Sequence, residues 1–501
     1  MIAMTTGASF DGLLPMQVRV EVSATKGLPV FDIVGMGQVE VKEGKQRIQS
    51  ALGACGIRLK NKKIVVNLGP AGVKKAGAYL DLPIALAVIK LMGFGGKTWD
   101  VSNILSFGEL SLDGAIRSVN GAFAIIEELH QNNMLIIAPG TQSDLSTCGV
   151  DVAPVFVNHL TDVLTYLNDP GSYQPATPPS PTAHETEDVL DFSHIKGQHQ
   201  AKRMLTIAAA GLHHAMLSGP PGVGKSLLAK AFPSIFPTLS SKAFCEVKKI
   251  YSATGTPIED GAIPLRQPHH HATLAGMIGG GMRFKAGDFM LAHQGILFMD
   301  EFPEFSSPII EALREPLEDG VIRVRRVHGL YTYPARFLLL AAMNLCPCGN
   351  TGDQSVTCTC SWIQLDRYRK KLSRPILDRI DLCMVLPKLS WQKVWKPGSA
   401  TSSQELKKQV QKARQNQSAR WGGDKTNALA SLEALKQHAN MSLGTEHCIQ
   451  RVMDQQHLSI RSMVKVLRVS RTIADLEGNP KLEQKHVLEA LNYRFTNLYE
   501  T

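Results

Sequence analysis

The sequence has no apolar run long enough to cross a bilayer. Its longest, Phe337 to Met343 and Leu82 to Ile89, fall well short of the about 20 residues a spanning helix needs. The opening residues, MIAMTTGASFDG, contain no basic stretch followed by an apolar core, so they do not read as a secretory signal. There are nine cysteines, an odd number in a chain of 501 residues, which argues against a disulfide scaffold. These absences point to a cytoplasmic chain with no membrane partner. Internal repeats are absent as well.

What is present suffices for several cores. Hydrophobic residues make up 44% of the chain, and its length implies roughly two to four domains. The formal net charge is +10, which favours a polyanion such as nucleic acid as partner, although a solvated basic surface gives the same balance.

One break is clear. Residues 168–190 carry Pro170, Pro175, Pro178, Pro179 and Pro181 and few apolar groups, as an extended linker would. Before it, residues 1–167 read as an α+β domain. Val18, Val20 and Val22 alternate with polar neighbours as in a half-buried strand, Ile64 to Leu68 is a second strand, and Leu82 to Leu91 is helical. Residues 191–388 read as an α/β core, with a buried strand over Ala335 to Asn344. From 389 to 501 the pattern is helical, with Leu406, Val410 and Ala413 at helical spacing, followed by Met463, Val466, Leu467 and Ile473.

The α/β core carries the chemistry. Gly219-Pro220-Pro221-Gly222-Val223-Gly224-Lys225-Ser226 fits a phosphate-binding loop in full. It lies between an apolar run (Ala215 to Leu217) and a helix-compatible run (Leu227 to Phe232). Its glycines let backbone N–H groups turn towards phosphates, and the helix start adds partial positive charge. Lys225 would reach the β- and γ-phosphates, and Ser226 would ligate Mg²⁺. A plain Gly/Pro turn before a helix is the alternative. Gly295 to Glu301 is a buried-strand run ending in two acids. Asp300 would hold Mg²⁺ and Glu301 would polarise the attacking water, a pairing that suits ATP hydrolysis.

Taken in order, GPPGVGKS, RQPHHHATLAGMIGGG (266–281), GILFMDE, LREPLEDG (313–320), YPARFLLLAAMN (333–344), LDRIDL (377–382) and SIRSMVKVLRVSRTIADLEG (459–478) resemble the magnesium-chelatase-like AAA+ ATPases, in particular their ComM/YifB family. The resemblance covers nearly the whole chain. It implies a multi-domain fold: a Lon-protease-like (ribosomal S5 domain 2-like) α+β domain, an α/β P-loop AAA+ core with a parallel sheet, and a C-terminal helical lid. It implies ATP and Mg²⁺ as cofactors, Asn344 as the polar sensor, Arg379 as an arginine finger given to a neighbour's ATP, and Arg461 as the second sensor. Without the family, each arginine reads as a surface ion pair, and Arg468 and Arg471 lie close to Arg461. A finger acting in trans implies a homohexamer, possibly as stacked rings. Gly197 and Gln198 match the segment on the adenine side. Arg374 stands where many relatives have glycine.

The family also implies two pore-facing insertions. Leu317 to Tyr333 reads as a β-hairpin with its turn at Gly329. On it Arg323, Arg325, Arg326 and His328 interleave with valines, suited to phosphates read without sequence preference. The other, 266–281, reads as a glycine-hinged mobile loop whose adjacent His269, His270 and His271 are poorly placed to share a metal. In the Lon-like comparison, Tyr79 and Phe123 stand where a protease carries its serine and lysine. Neither can act as nucleophile or base, so the domain reads as a non-proteolytic scaffold in which Lys74, Lys75 and Asp81 are structural or surface groups. Cys346, Cys348, Cys358 and Cys360 suit a tetrahedral Zn²⁺ site, though Cys-x-Cys spacing is less specific than Cys-x₂-Cys.

The leading expectation is therefore an ATP-driven hexameric motor on single-stranded or branched DNA. The family implies helicase and branch-migration activity while incoming DNA is integrated in natural transformation, with recombination proteins as possible partners. Two alternatives stay open. A metal-chelatase ATPase would call for an Asp-x-Ser-x-Ser motif, for which Asp353 to Thr357 is a poor match. A protein remodeller would present an aromatic pore residue, for which Met277, Met282 and Tyr331 are the candidates.

Overall fold

The computed structural model describes residues 2–35, 38–59, 62–70, 78–94, 103–130, 134–140, 154–175, 190–281, 285–326, 329–352, 356–389, 401–438, 440–456 and 458–494. Most of the proline-rich linker and Lys74, Lys75, Met282, His328 and Asp353 lie outside these residues. The chain divides into two compact units. One takes in residues 1–184 with 244–262 and 281–286, and the other takes in 185–243, 263–280 and 287–501.

The first unit is built on a mixed seven-stranded sheet. Its order is Val30–Val34, Lys62–Gly69, Leu14–Lys26, Ile2–Asp11, Ile104–Ser106, Leu135–Pro139 and Val155–Val157. The alternation of Val18, Val20 and Val22 is a register device. All three are fully buried, and Val20 and Val22 stand opposite Leu68 and Val66. Shifting that strand by one residue would turn Arg19 and Glu21 into the core. Helix Asp81–Met92 is buried along most of its length and stops at Gly93, whose φ of 76° suits glycine. Asp81 is buried and pairs with Arg47 at 2.6 Å, a structural role. Tyr79 packs on Phe10 with ring centroids 5.6 Å apart, and Phe123 is buried.

The second unit holds a five-stranded sheet in the order Leu265–Arg266, Ile296–Met299, Leu338–Met343, Ala215–Ser218 and Leu382–Val385, with every neighbouring pair parallel. Its three central strands are buried on both faces, which explains their unbroken apolar sequence. The central strand begins at Leu338, later than the expected Ala335, because Ala335 and Arg336 are engaged by Gly320 and His293.

The C-terminal helices Ser403–Trp421, Leu443–Gln455, Ile460–Leu476 and Gln484–Leu491 add their apolar faces to the same core. Val410, Ala413 and Ile473 pack in one cluster with Leu205 and Ala208. Polar ties cross the same seam. Gln417 donates to the Ala210 carbonyl at 2.9 Å, and His213 Nε2 lies 2.8 Å from the Thr472 hydroxyl. Asp475 is buried and takes both Arg420 and Arg471. Burial pushes the Asp381 carboxyl up, but the His213 hydrogen bond and the Lys465 charge overcome this and hold it well below the usual carboxylate range.

Two segments hold more local structure than their sequence patterns show. Within 266–281, Leu265–Arg266 joins the sheet, Thr273 caps the helix Leu274–Ile278 from its side chain, and Arg266 pairs with Asp288 at 2.7 Å. A sheet edge, a cap and an ion pair thus give this glycine-rich segment local structure. The expected hairpin from Leu317 is instead a helix, Arg314–Asp319, closed by Gly320 at φ 69°, and then a hairpin of Val321–Arg326 with Gly329–Pro334. Arg326 pairs with Gly329, so Gly329 lies on the second strand of the hairpin and not in its turn.

Candidate nucleotide site

The phosphate loop leaves the C-terminal end of strand Ala215–Ser218 and enters helix Lys225–Ala231. Ligands in open α/β sheets bind at this edge. Gly219, Gly222 and Gly224 have φ of 148°, 76° and 96°, which other residues rarely adopt. A Cβ on Gly219 would also meet the Leu386 carbonyl at 2.7 Å. Lys225 Nζ donates to the carbonyls of Gly219 and Pro220 and to Asn344 Oδ1 at 2.7, 2.9 and 2.9 Å. Burial lowers its pKa, against the nearby Asp300 charge. Gln198, nearly buried at φ 50°, donates to the carbonyls of Val223 and Pro387. Its side chain is therefore spent on fixing the loop.

The two proposed Mg²⁺ ligands meet. Ser226 Oγ donates to Asp300 Oδ2 at 2.8 Å. Adjacent ligands on an octahedral Mg²⁺ stand about 2.9 Å apart, given bonds of about 2.1 Å, so the pair fits neighbouring vertices. Asn344 follows strand Leu338–Met343, and its carbonyl accepts from the Tyr368 hydroxyl at 3.1 Å. Lys225, Asp300, Glu301, Asn344 and Tyr368 line a cavity of about 240 Å³.

Glu301 sits in the left-handed region at φ 51°, a strained setting for a residue with a side chain. Its Oε2 lies 3.0 Å from His270 Nδ1. The three histidine rings pack together, with centroids 4.2 to 5.2 Å apart and only His269 and His271 stacked, and each ring offers a nitrogen within 4.8 Å of the others'. Two of those nitrogens are committed, His270 Nδ1 to Glu301 and His269 Nδ1 to the His271 N–H at 3.2 Å. Nothing in the sequence spacing connects His270 with Glu301. Only the parallel pairing of Leu265–Arg266 with Ile296–Met299 brings them together.

The two candidate arginines converge on one carboxylate. Arg379 donates to Glu318 and, at 2.7 Å, to the Pro375 carbonyl. Arg461, two residues after the Ser459 cap of helix Ile460–Leu476, approaches the same carboxylate at 3.7 Å. Neither lines the cavity around Lys225. Sequence reasoning did not single out Glu318. Arg374 opens the short helix Arg374–Leu377 behind the Ser373 cap, and nothing in the structure assigns it a further role.

On the hairpin, Arg323 and Arg325 are exposed, while Arg326 points to the opposite face with its guanidinium 5.7 Å from the Tyr331 ring. The Arg323 guanidinium is paired with Glu315 at 2.6 Å and Asp319 at 3.1 Å, on the exposed face of the hairpin.

The four clustered cysteines do meet. Cys346, Cys348 and Cys358 place their sulfurs 3.3 to 3.7 Å apart, and Cys360 Sγ is within 4.8 Å of all three. Tetrahedral thiolates at about 2.3 Å from Zn²⁺ stand about 3.8 Å apart, so the donor set fits that metal. Backbone N–H groups of Asn350 and Thr359 hold the Cys348 thiol down at about 6. A Cβ on Gly349, inside this loop, would meet Pro221 of the phosphate loop at 2.8 Å. The cysteine loop thus packs against the nucleotide loop.

Comparison with known proteins agrees with this geometry. Residues 191–394 match the family described as magnesium chelatase, subunit ChlI, residues 20–141 match subunit ChlI of Mg-chelatase, and residues 400–494 match its C-terminal region. The competence protein ComM of Haemophilus influenzae is 35% identical over 510 residues, covering 98% of this chain and 97% of the relative. The chain belongs to the ComM/YifB family of magnesium-chelatase-like AAA+ ATPases. Uncharacterized protein YifB of Escherichia coli is also 35% identical, over 95% of this chain and 94% of the relative. The 38 kDa magnesium-chelatase subunit of Rhodobacter capsulatus is 25% identical over 33% of this chain and 53% of its own length. Membership in the ComM/YifB family carries with it an ATPase core using ATP and Mg²⁺. Among the described residues, no helix is long and apolar enough to cross a membrane.

Proposed function

We propose that this protein is an ATP-driven homohexameric motor on single-stranded or branched DNA, with helicase and branch-migration activity. It would act in the cytoplasm during integration of incoming DNA in natural transformation, beside recombination proteins. The near-full-length likeness to a competence protein supports the setting. The observation that carries the DNA reading is the hairpin. It begins three residues after Glu318 and carries the exposed Arg325 and the aromatic-backed Arg326, which suit a sequence-blind hold on phosphates.

Bound Mg²⁺ would neutralise charge on the β- and γ-phosphates. Ser226 and Asp300 would hold it, and the loop N–H groups with Lys225 would cradle the phosphates. Glu301 would accept the proton of the attacking water, and Asn344, tethered by Lys225 and Tyr368, would orient water and γ-phosphate. Arg379 and Arg461 would act together on a neighbour's ATP, because both lie on Glu318 and away from their own Lys225. Such a pair would stabilise charge spreading over the transferred phosphoryl group.

The first unit would be a Lon-like, non-proteolytic scaffold, suited to pairing rings, since the half-buried Tyr79 and the buried Phe123 supply no nucleophile or base. The cysteine cluster would hold structural Zn²⁺ and brace the loop after Asn344.

The test is ATP turnover with and without DNA at two salt concentrations, for wild type, Arg325→Ala and Arg326→Ala. Stimulation by DNA that falls with salt and with either substitution is the expected result. Turnover indifferent to DNA would shift the reading to chelatase-type work, which the Rhodobacter relative favours over a third of the chain.

A further inference from the structure

Glu318 is the meeting point of two groups of contacts. On one side it accepts from Arg379 and stands 3.7 Å from Arg461, two guanidiniums carried by separate elements. On the other, its own short helix, Arg314–Asp319, grips the hairpin. Glu315 takes the Arg323 guanidinium at 2.6 Å and its backbone N–H at 3.2 Å, and Asp319 takes the same guanidinium at 3.1 Å. Only Asp319 and Gly320 separate Glu318 from the first hairpin residue, Val321.

Two converging guanidiniums form a site for a polyanionic group, and a terminal phosphate offers them more oxygens than one carboxylate does. Arg379 is incompletely served as it stands. Its Nε is buried with no hydrogen-bond partner among the described residues. The Glu318 and Arg461 side chains are half exposed, and ion pairs of that kind are weak and easily exchanged.

We infer that Glu318 is a restraint coupling the hairpin to the trans-acting arginines. While the hairpin is unloaded, its carboxylate stands in for the neighbour's γ-phosphate and keeps Arg379 and Arg461 at home. A polymer pulling on Arg325 and Arg326 moves the Arg314–Asp319 helix through Arg323, withdraws Glu318, and releases both arginines to the neighbouring site. The two states differ in the placing of that helix and in which anion the arginines face, so loading the hairpin and hydrolysis next door become linked equilibria. This inference rests on the trans reading of Arg379 given above.

The experiment measures ATP turnover by the full-length protein, with and without a single-stranded oligonucleotide, for wild type, Glu318→Ala, Glu318→Gln, Glu318→Asp and Arg379→Ala. Removing the charge is expected to raise DNA-free turnover by about fivefold or more and bring the stimulation ratio close to unity, with KM for ATP unchanged. Glu318→Asp, which keeps the charge, should keep the coupling. Glu318→Ala and Glu318→Gln proteins that match wild type in both rates, or that lose both together, overturn the inference. Wild-type turnover by Arg379→Ala would instead sink the trans reading. An inactive Arg379→Ala beside wild-type-like Glu318 variants would remove the coupling alone. The DNA-free rate of Glu318→Ala tests the restraint even if the oligonucleotide stimulates nothing.

Discussion

His270 Nδ1 lies 3.0 Å from Oε2 of Glu301, so the acid proposed to activate water is already oriented by a side chain from the 266–281 segment. Without that contact an exposed glutamate on a left-handed residue would sample other rotamers. His270→Ala is therefore expected to lower kcat by about tenfold while leaving KM for ATP unchanged, as loss of an oriented group does. Asn at 270 can donate to the same oxygen and should restore part of the rate. Steady-state kinetics of both variants checks this, and an altered KM with intact kcat would refute it.

Lys225→Ala and Glu301→Gln should each cut ATP turnover by about a hundredfold or more, by different routes. Loss of Lys225 removes a phosphate contact, so nucleotide affinity should fall too. Loss of the Glu301 charge leaves the cradle intact, so ATP should bind and persist. Titration with a fluorescent ATP analogue beside a phosphate-release assay separates the two.

Arg379→Ala is expected to be inactive alone, by about a thousandfold. Mixing it with Lys225→Ala subunits should recover activity, because a Lys225→Ala subunit still offers its arginine to a neighbour whose phosphate loop is intact. A mixture no more active than its components would argue against action in trans.

The cysteine cluster predicts equimolar zinc in purified protein by metal analysis. Cys348→Ser should lose the metal and lower the melting temperature by on the order of 5 °C. Metal-free wild-type protein with four freely reactive clustered thiols would dismiss the site.

The buried imidazole of His214 makes stability depend on pH. Burial pushes it from its ordinary 6.5 down to about 4, and its Nδ1 accepts the Leu339 N–H at 3.1 Å. In the unfolded chain it takes up a proton below about 6.5, whereas the folded chain holds it neutral. Its contribution is therefore complete above 6.5 and is lost as pH falls towards 4. Denaturant unfolding of wild type between these limits should show the decline, and His214→Asn, which keeps an acceptor for Leu339, should flatten it.

Much of this was legible in the sequence wherever one local rule governs. The valine alternation set the register against Leu68 and Val66, the apolar runs around Met216, Phe298 and Leu340 marked strands buried on both faces, and the loop of 219–226 sat between strand and helix as its pattern requires. Pairings across long separations were not. His270 meets Glu301, and Arg379 and Arg461 meet Glu318, only because the sheet order and the packing of helix Ile460–Leu476 bring distant segments together. The fate of Arg323 was hidden for a nearer reason. Its partners Glu315 and Asp319 lie on the helix Arg314–Asp319, which the alternating pattern of the hairpin does not reveal.

The ties from the C-terminal helices to the α/β core bear on how the proposed motor would make force. Phe192 donates its N–H to the Ser403 hydroxyl at 2.8 Å, Gln417 is locked to Ala210, and Thr472 answers His213 deep in a shared apolar core. Swinging those helices away would strand several buried polar groups at once, each at a cost of about 1–3 kcal/mol. The lid and core are therefore tied as one lever arm, and in the ring proposed above the stroke would be taken up at the joints between subunits.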